Sequence, residues 1–141
     1  MNIFGLLIIL ACNTSISDIR TVYKSQDEDK VLAMLQVLEK KTSLTTDEQC
    51  YKAVFICMKA EYLTWPNEKL AAFKKGYKEL NSIIAKHPTK AEYRYHRYMI
   101  EKFTPSWLID VNHMESDKTY VETNLAANHP MYSFITSTIN Q

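Results

Sequence analysis

Residues 66–88 read PNEKLAAFKKGYKELNSIIAKHP and carry the clearest helical pattern in the chain. Large apolar residues recur there three or four positions apart, at Leu70, Phe73, Tyr77, Leu80 and Ile84. This spacing places them on one face of an α-helix. A proline suits the first helical position, because the first N–H groups of a helix have no partner within it. We therefore predict an amphipathic helix that begins at Pro66 and ends at His87–Pro88.

Small residues indicate where helices approach one another closely. Gly76 lies in the middle of the predicted helix, where glycine costs about 1 kcal/mol relative to alanine. We expect close contact with a neighbouring helix to offset that cost. Ala53 and Ala60 lie on one side of an earlier predicted helix and would also allow a close approach.

Caps, acidic residues and prolines predict where the other helices begin. Two capping boxes are predicted, at Thr46–Gln49 and at Thr89–Glu92. Other predicted starts are Asp18, Asp27–Asp29, Thr104–Ser106, Asn112–Glu115 and Pro130. In the short turn after Thr104, Trp107 and Leu108 are expected to be the apolar anchors. Carboxylates at Asp27–Asp29 suit the positive end of a helix.

The fold class follows from these patterns and from the scarcity of glycine. Strand-like alternation is nearly absent, so we predict an all-α protein of six to seven helices in one domain over residues 18–141. The sequence has only two glycines, Gly5 and Gly76. Glycine-rich phosphate loops and dinucleotide-binding turns are therefore excluded.

One segment resembles a known helical repeat. Gly76, Leu80, Ile83 and Pro88 have the spacing found in the second helix of a tetratricopeptide repeat. Ile83 stands where that family has a small residue, and residues 64–67 interrupt the preceding helix, so about one half-repeat matches. The resemblance implies stacked antiparallel helix pairs with a concave binding face. It carries over no functional residue.

The amino terminus has the features of an export signal. Residues 3–11 form an apolar run that is too short to span a bilayer but long enough for a signal-peptide core. The sequence Ile9-Leu10-Ala11-Cys12 resembles the lipobox of bacterial lipoproteins, although no Lys or Arg precedes the apolar run. The resemblance implies a signal peptide over residues 1–11, diacylglycerol on Cys12 and a short tether over residues 12–17. Simple secretion and a retained N-terminal helix turn are the alternatives.

Charge is nearly balanced overall but uneven along the chain. The net charge is +1, and residues 66–102 carry nine basic and four acidic side chains, a net of +5. Residues 103–141 carry one basic and four acidic side chains, a net of −3. The candidate interaction face comprises Lys74, Lys75, Lys78, Arg94 and Arg97.

No residue pattern predicts an enzyme, a metal or a cofactor. His113 and Asp117 are four residues apart, with Glu115 between them, but a third metal ligand is missing locally. Catalytic motifs such as a nucleophile elbow are absent. Cys50 and Cys57 would lie about 10.5 Å apart along one helix, too far for a disulfide, and are expected to be core residues.

The sequence favours an interaction module exported to a bacterial envelope. It would lie on the periplasmic or outer side, held to the membrane through a lipid anchor only, and bind an unidentified protein partner there but no nucleic acid. Two alternatives stay open: a ligand-binding or enzymatic domain with its site in a groove between helices, and a cytoplasmic nucleic-acid binder that uses the basic middle segment.

Overall fold

The computed structural model describes residues 14–141, and these form an all-α fold with no β-strand among them. The seven α-helices are α1 (Ile16–Ser25), α2 (Glu28–Lys40), α3 (Thr46–Tyr62), α4 (Pro66–Lys86), α5 (Ala91–Phe103), α6 (Met114–Asn124) and α7 (Tyr132–Thr138). A 3₁₀ turn at Ser106–Leu108 lies between α5 and α6. The predicted class and number of helices are confirmed. The signal peptide predicted over residues 1–11 and the lipid anchor at Cys12 lie outside the described residues.

Several helix starts follow from local capping chemistry. Helix α4 begins at Pro66, as predicted, and the Asp27 side chain accepts a hydrogen bond of 3.0 Å from the Lys30 N–H at the start of α2. Helix α1 begins at Ile16, two residues before the predicted start, because Ser15 and Asp18 form a capping box. The last two residues assigned to the tether are therefore helical.

Both predicted capping boxes are wrong in detail. The box of α3 is formed by Thr45 and Glu48, one residue earlier than predicted, and the Glu48 carboxylate also binds Lys41. At α5, Lys90 occupies the N-cap position without a side-chain hydrogen bond. The Glu92 carboxylate is buried instead, 3.3 Å from the His129 ring. In each case the glutamate binds a side chain that lies outside its own helix.

Glu48 gives a pH-dependent prediction. Burial works to raise the pKa of Glu48, but hydrogen bonds from Lys41 and Thr45 outweigh it and hold the pKa below its usual 4.5. A carboxyl group whose pKa is lowered by folding stabilises the fold above its unfolded pKa, and this contribution is lost as the pH falls through the folded pKa. Glu48→Gln should therefore lower the free energy of unfolding by about 1–2 kcal/mol at neutral pH.

Urea unfolding at several pH values measures this effect. The loss should shrink as the pH falls below 4.5, the usual value for the carboxyl group. The exposed Glu39→Gln, on α2, is the matched control and should change stability little at any pH. An equal loss for Glu48→Gln at acidic and neutral pH would contradict the assigned role of the carboxylate.

The described helices divide into two compact units within α4, the first ending at Gly76 and the second spanning Tyr77–Gln141. In the first unit α3 and α4 are antiparallel. Near their joined ends, Lys69 Nζ donates to the Glu61 carbonyl at 3.1 Å; farther along, Cys57 Sγ lies 4.0 Å from the Phe73 carbonyl. The prediction of one domain over residues 18–141 stays a prediction.

The core of the first unit is formed by apolar faces of α1–α4. Its buried apolar residues include Ile19, Tyr23, Val31, Leu35, Leu38, Tyr51, Val54, Phe55 and Phe73. The rings of Tyr23 and Tyr51 meet edge to face with their centres 6.0 Å apart, which joins α1 to α3. Cys50 and Cys57 are buried and form no disulfide, as predicted.

Gly76 confirms the expected close approach of helices. A Cβ atom built at this position would lie 2.7 Å from both the Ala53 carbonyl oxygen and Cys57 Sγ, and 2.9 Å from the Cys57 nitrogen. Real Cβ atoms do not approach other atoms so closely. Glycine therefore allows the backbones of α3 and α4 to come into direct contact.

In the second unit α5 and α6 are also antiparallel. Contacts join Arg97 near the middle of α5 to Asp117 in the first turn of α6, and Glu101 near the end of α5 to His113, which precedes α6. The segment around α7 packs on this unit through the buried Met131, Ile135 and Ile139. The Tyr95 and Thr138 hydroxyls meet at 2.6 Å. Antiparallel helix pairs are thus present in both units.

Candidate functional site

Helix α5 buries charged side chains, which proteins rarely do unless each charge is paired. Glu92, Arg97 and Glu101 are between 3% and 8% exposed. Each meets a side chain from the segment after α5: Glu92 meets His129, Arg97 meets Asp117, and Glu101 meets His113. These pairs hold α6 and the connection to α7 against α5.

Asp117 is the centre of the largest of these polar contacts. The residue is fully buried, and its carboxylate accepts three hydrogen bonds from two arginines. Arg97 binds in a bidentate manner, through Nε at 2.7 Å and Nη2 at 2.9 Å, and Arg94 Nε donates at 2.9 Å. Arg97 Nη1 also donates to the Asn81 side chain at 3.0 Å. The two guanidinium groups compensate the negative charge of Asp117, which allows its carboxylate to be buried.

Glu101 joins α4, α5 and the start of α6. Its carboxylate accepts hydrogen bonds from the Tyr77 hydroxyl at 2.6 Å and the His113 backbone N–H at 2.7 Å. The His113 ring nitrogen Nδ1 lies 2.7 Å from Oε1, the same oxygen that accepts from Tyr77, while the His113 N–H binds Oε2. Burial, followed by the hydrogen bond to Glu101, raises the pKa of Tyr77 well above its usual value of 10. Tyr77 is therefore kept as a hydrogen-bond donor across the neutral pH range.

An open groove with a volume of about 690 Å³ runs along α6. Its lining residues are Arg94, Asn112, Glu115, Ser116, Thr119, Tyr120, Thr123 and Asn124. The guanidinium carbon of Arg94 lies 4.0 Å from the centre of the Tyr120 ring, a cation–π contact. The Tyr120 hydroxyl donates to the Thr89 carbonyl at 3.2 Å. The groove therefore presents a fixed arginine and tyrosine among hydroxyl and amide groups.

The predicted interaction face is wrong at Arg97. Lys74, Lys75 and Lys78 are exposed on α4, as expected. Arg97 is buried, and Arg94 is half-buried and lines the groove. Both guanidinium groups bind the Asp117 carboxylate, so their charges are neutralised there.

The residues considered for metal binding have other partners. Asp117 binds the two arginines, and His113 binds Glu101, so the two side chains do not converge on one point. Between residues 14 and 141 no group of three His, Cys, Asp or Glu side chains could hold a metal ion.

Sequence reasoning missed the groove residues on α6. The available signal was the run of polar side chains Ser116, Thr119 and Thr123, which recur three or four positions apart and so share one helix face. Tyr120 adds an aromatic ring beside them. A second signal was the three-residue spacing of Arg94 and Arg97, which allows both to reach one acid.

Residues 102–112, which comprise the last two residues of α5 and most of the connection to α6, expose large apolar side chains, and we call this segment the aromatic loop. Phe103 is 69%, Trp107 78% and Val111 62% exposed. The expectation that Trp107 is an apolar anchor of the short turn is therefore wrong, while Leu108 is half-buried. The turn is held by backbone hydrogen bonds and leaves the indole ring in solvent.

Comparisons with protein-family models, with curated proteins and with solved structures find no match to this chain. Among the helices described from residue 14 onwards, none has both the length and the apolar character needed to cross a membrane.

Proposed function

We propose that this protein is an interaction module on the periplasmic or outer side of a bacterial envelope, anchored by a lipid on Cys12, and that it binds a partner protein in the groove along α6. The observation that carries the binding proposal is the Arg94–Tyr120 pair, held in an open and polar groove. The anchor rests on the resemblance of residues 9–12 to a lipobox.

The shape and chemistry of the groove favour a protein partner over a small molecule. Small-molecule sites are enclosed and mostly apolar. This groove is open, and each of its lining side chains carries a hydroxyl, amide or charged group. Arginine and tyrosine are the residue types enriched where protein interfaces concentrate their binding energy. A polar segment of a partner protein that lies along α6 could contact both Arg94 and Tyr120.

The buried network prepares the groove for binding. The bond from Arg94 Nε to Asp117 and the stacking on Tyr120 fix a side chain that would otherwise be mobile. Fixing a long side chain before binding reduces the entropy lost on association. The antiparallel pairing of α5 and α6 supports the same proposal, because the tetratricopeptide resemblance implies stacked helix pairs with a concave binding face.

Site-specific photo-crosslinking in a bacterial host tests the groove. A photoreactive residue at Thr119, which is exposed and lines the groove, should give a discrete crosslinked product. The same residue at Glu122, exposed on α6 but outside the groove lining, is the matched control and should not. Adding Ser116→Trp, which fills the groove, should abolish the Thr119 product. Equal products from both positions, or persistence with Ser116→Trp, would reject the groove as the binding site.

Metabolic labelling with a fatty-acid analogue tests the anchor separately. The wild-type chain should carry the label and sediment with membranes, and Cys12→Ala should carry none, because the thiol is the acceptor in lipoproteins. Unlabelled protein that stays at full length in the cytoplasm would reject the anchor. The crosslinking at Thr119 would still test the groove, because it does not depend on the lipid anchor.

A further inference from the structure

We propose that the aromatic loop is a second membrane contact, which places Trp107 and its apolar neighbours in the interfacial layer of the lipid bilayer. The proposal rests on the proposed function only in that an anchor brings the chain to a membrane. It assigns the loop a role separate from the groove along α6.

Exposure of the loop side chains is the first observation. Phe103, Trp107 and Val111 lie within nine residues of one another and are each more than 60% exposed. Single exposed apolar residues are common, but several large ones in one short segment indicate a surface that contacts an apolar partner. Tryptophan in particular favours the membrane–water interface, where its ring is buried and its N–H is hydrated.

The loop is held in one conformation by the residues at its base. Glu101, just before the loop, binds both the backbone and the ring of His113, just after it. Within the loop, the N–H of Leu108 donates to the Pro105 carbonyl at 3.0 Å, and the N–H of Ile109 donates to Ser106 at 3.1 Å. A loop with closed ends and internal hydrogen bonds presents its side chains with little loss of entropy on binding.

The size of the surface favours a bilayer over a protein partner. The three exposed side chains offer roughly 400 Å² of apolar area, about half of what one partner contributes to a standard protein interface. A second copy of the chain would need more area to form a stable dimer. Partition into a bilayer requires no minimum area, because each side chain transferred from water contributes separately.

Charge and chain length agree with a membrane contact. Within the loop only Lys102 and Asp110 are charged, and their charges cancel, so an uncharged lipid surface suffices. Cys12 and Ser15, the N-cap of α1, are only three positions apart in the sequence. Fully extended, this stretch spans about 10 Å, so helix α1 of an anchored chain begins close to the membrane surface.

Two single-tryptophan variants test the proposal, since Trp65 and Trp107 are the only tryptophans. Trp65→Phe leaves Trp107 as the reporter, and Trp107→Phe leaves Trp65, which is 64% exposed and serves as the matched control. Both variants are made in the full chain with Cys12→Ala and an N-terminal hexahistidine tag. The tag holds the protein on phosphatidylcholine vesicles that contain a nickel-chelating lipid, so the test does not depend on lipidation.

The expected result is a blue shift of Trp107 emission on vesicles and its quenching by brominated acyl chains, with little change for Trp65. Adding Phe103→Ser and Val111→Ser should reduce the quenching of Trp107 at least about twofold, because less apolar area holds the loop in the lipid. Trp107 emission that stays as in water, or equal changes for both tryptophans, would overturn the proposal. A shift that needs envelope proteins in the vesicles would assign the loop to a protein partner instead. Failure of fatty-acid labelling at Cys12 would affect the anchor alone.

Discussion

Replacing Asp117 with alanine should lower the free energy of unfolding by about 3–5 kcal/mol. The carboxylate is fully buried and neutralises Arg97, whose side chain is only 9% exposed. Without it, Arg97 is left as an uncompensated charge, and Arg94 loses the bond that orients it over Tyr120. Because small domains are stable by only about 5–15 kcal/mol, such a loss should be evident as a large shift of the urea midpoint.

Glu122→Ala is the matched control for this substitution. Glu122 lies on α6 as well, but its side chain is 48% exposed and its oxygen is 3.9 Å from Lys118 Nζ. An exposed pair of this kind contributes between zero and about 1 kcal/mol. Similar losses for Asp117→Ala and Glu122→Ala would show that the buried network does not stabilise the second unit.

A double substitution distinguishes the cost of leaving Arg97 unpaired from the cost of removing the whole Arg97–Asp117 pair. In the double variant Arg97→Met with Asp117→Leu, both buried charges are replaced by apolar side chains. Burying two charges carries a desolvation cost that such a replacement removes. We expect the double variant to be more stable than Asp117→Ala alone. Additive losses would mean that the two side chains do not act as a pair.

The helices were predictable because their signals are local. The apolar spacing of residues 70–84 and the proline at position 66 depend only on the order of residues along α4, and the structure follows them. Gly76 was informative for the same reason, since a glycine in a helix needs an explanation that an ordinary residue does not. The start of α2 at Asp27–Asp29 was predicted from the preference of carboxylates for the first turn.

Capping at α3 shows where local reasoning fails. The sequence Thr45-Thr46-Asp47-Glu48-Gln49 contains two capping boxes, one residue apart, and both satisfy the local pattern. The structure selects the box of Thr45 and Glu48, in which the glutamate also meets Lys41 from the preceding connection. No rule that looks only at the first turn of α3 distinguishes the two.

The site could not be predicted because its pairs join residues far apart in the chain. Arg97 and Asp117 are 20 residues apart, and their contact depends on how α5 packs against α6. Charged side chains are usually solvated, so the sequence favoured an exposed arginine face. Large apolar side chains are usually buried, so Trp107 was expected to be an apolar anchor of its turn, but its side chain is exposed. Hydrogen bonds between Glu101 and His113 join the two ends of the aromatic loop, and the Trp107 ring lies in solvent.

Gly76→Ala is the second substitution with a large expected effect. The informative result is whether it raises or lowers the free energy of unfolding. In a solvent-exposed helix this change stabilises by up to about 1 kcal/mol, because alanine is the better helix former. At Gly76 we expect a loss of about 1–3 kcal/mol instead, since the added methyl group overpacks the contact between α3 and α4. Ser82→Ala, at an exposed position of α4, is the matched control and should stabilise slightly.

The pattern of rescue identifies which atoms resist the methyl group. Cys57→Ala in the Gly76→Ala background removes the sulfur that would lie 2.7 Å from the new Cβ atom. The Ala53 carbonyl and the Cys57 nitrogen remain, and backbone atoms cannot turn away as a side chain can. We therefore expect only partial rescue, measured by urea unfolding as the coupling energy of a double-mutant cycle. Full rescue would mean that α3 and α4 have room to separate and that the sulfur alone requires a glycine. Partial rescue would mean that the contact of the two backbones requires it, which is the reason for a glycine in the middle of a 21-residue helix.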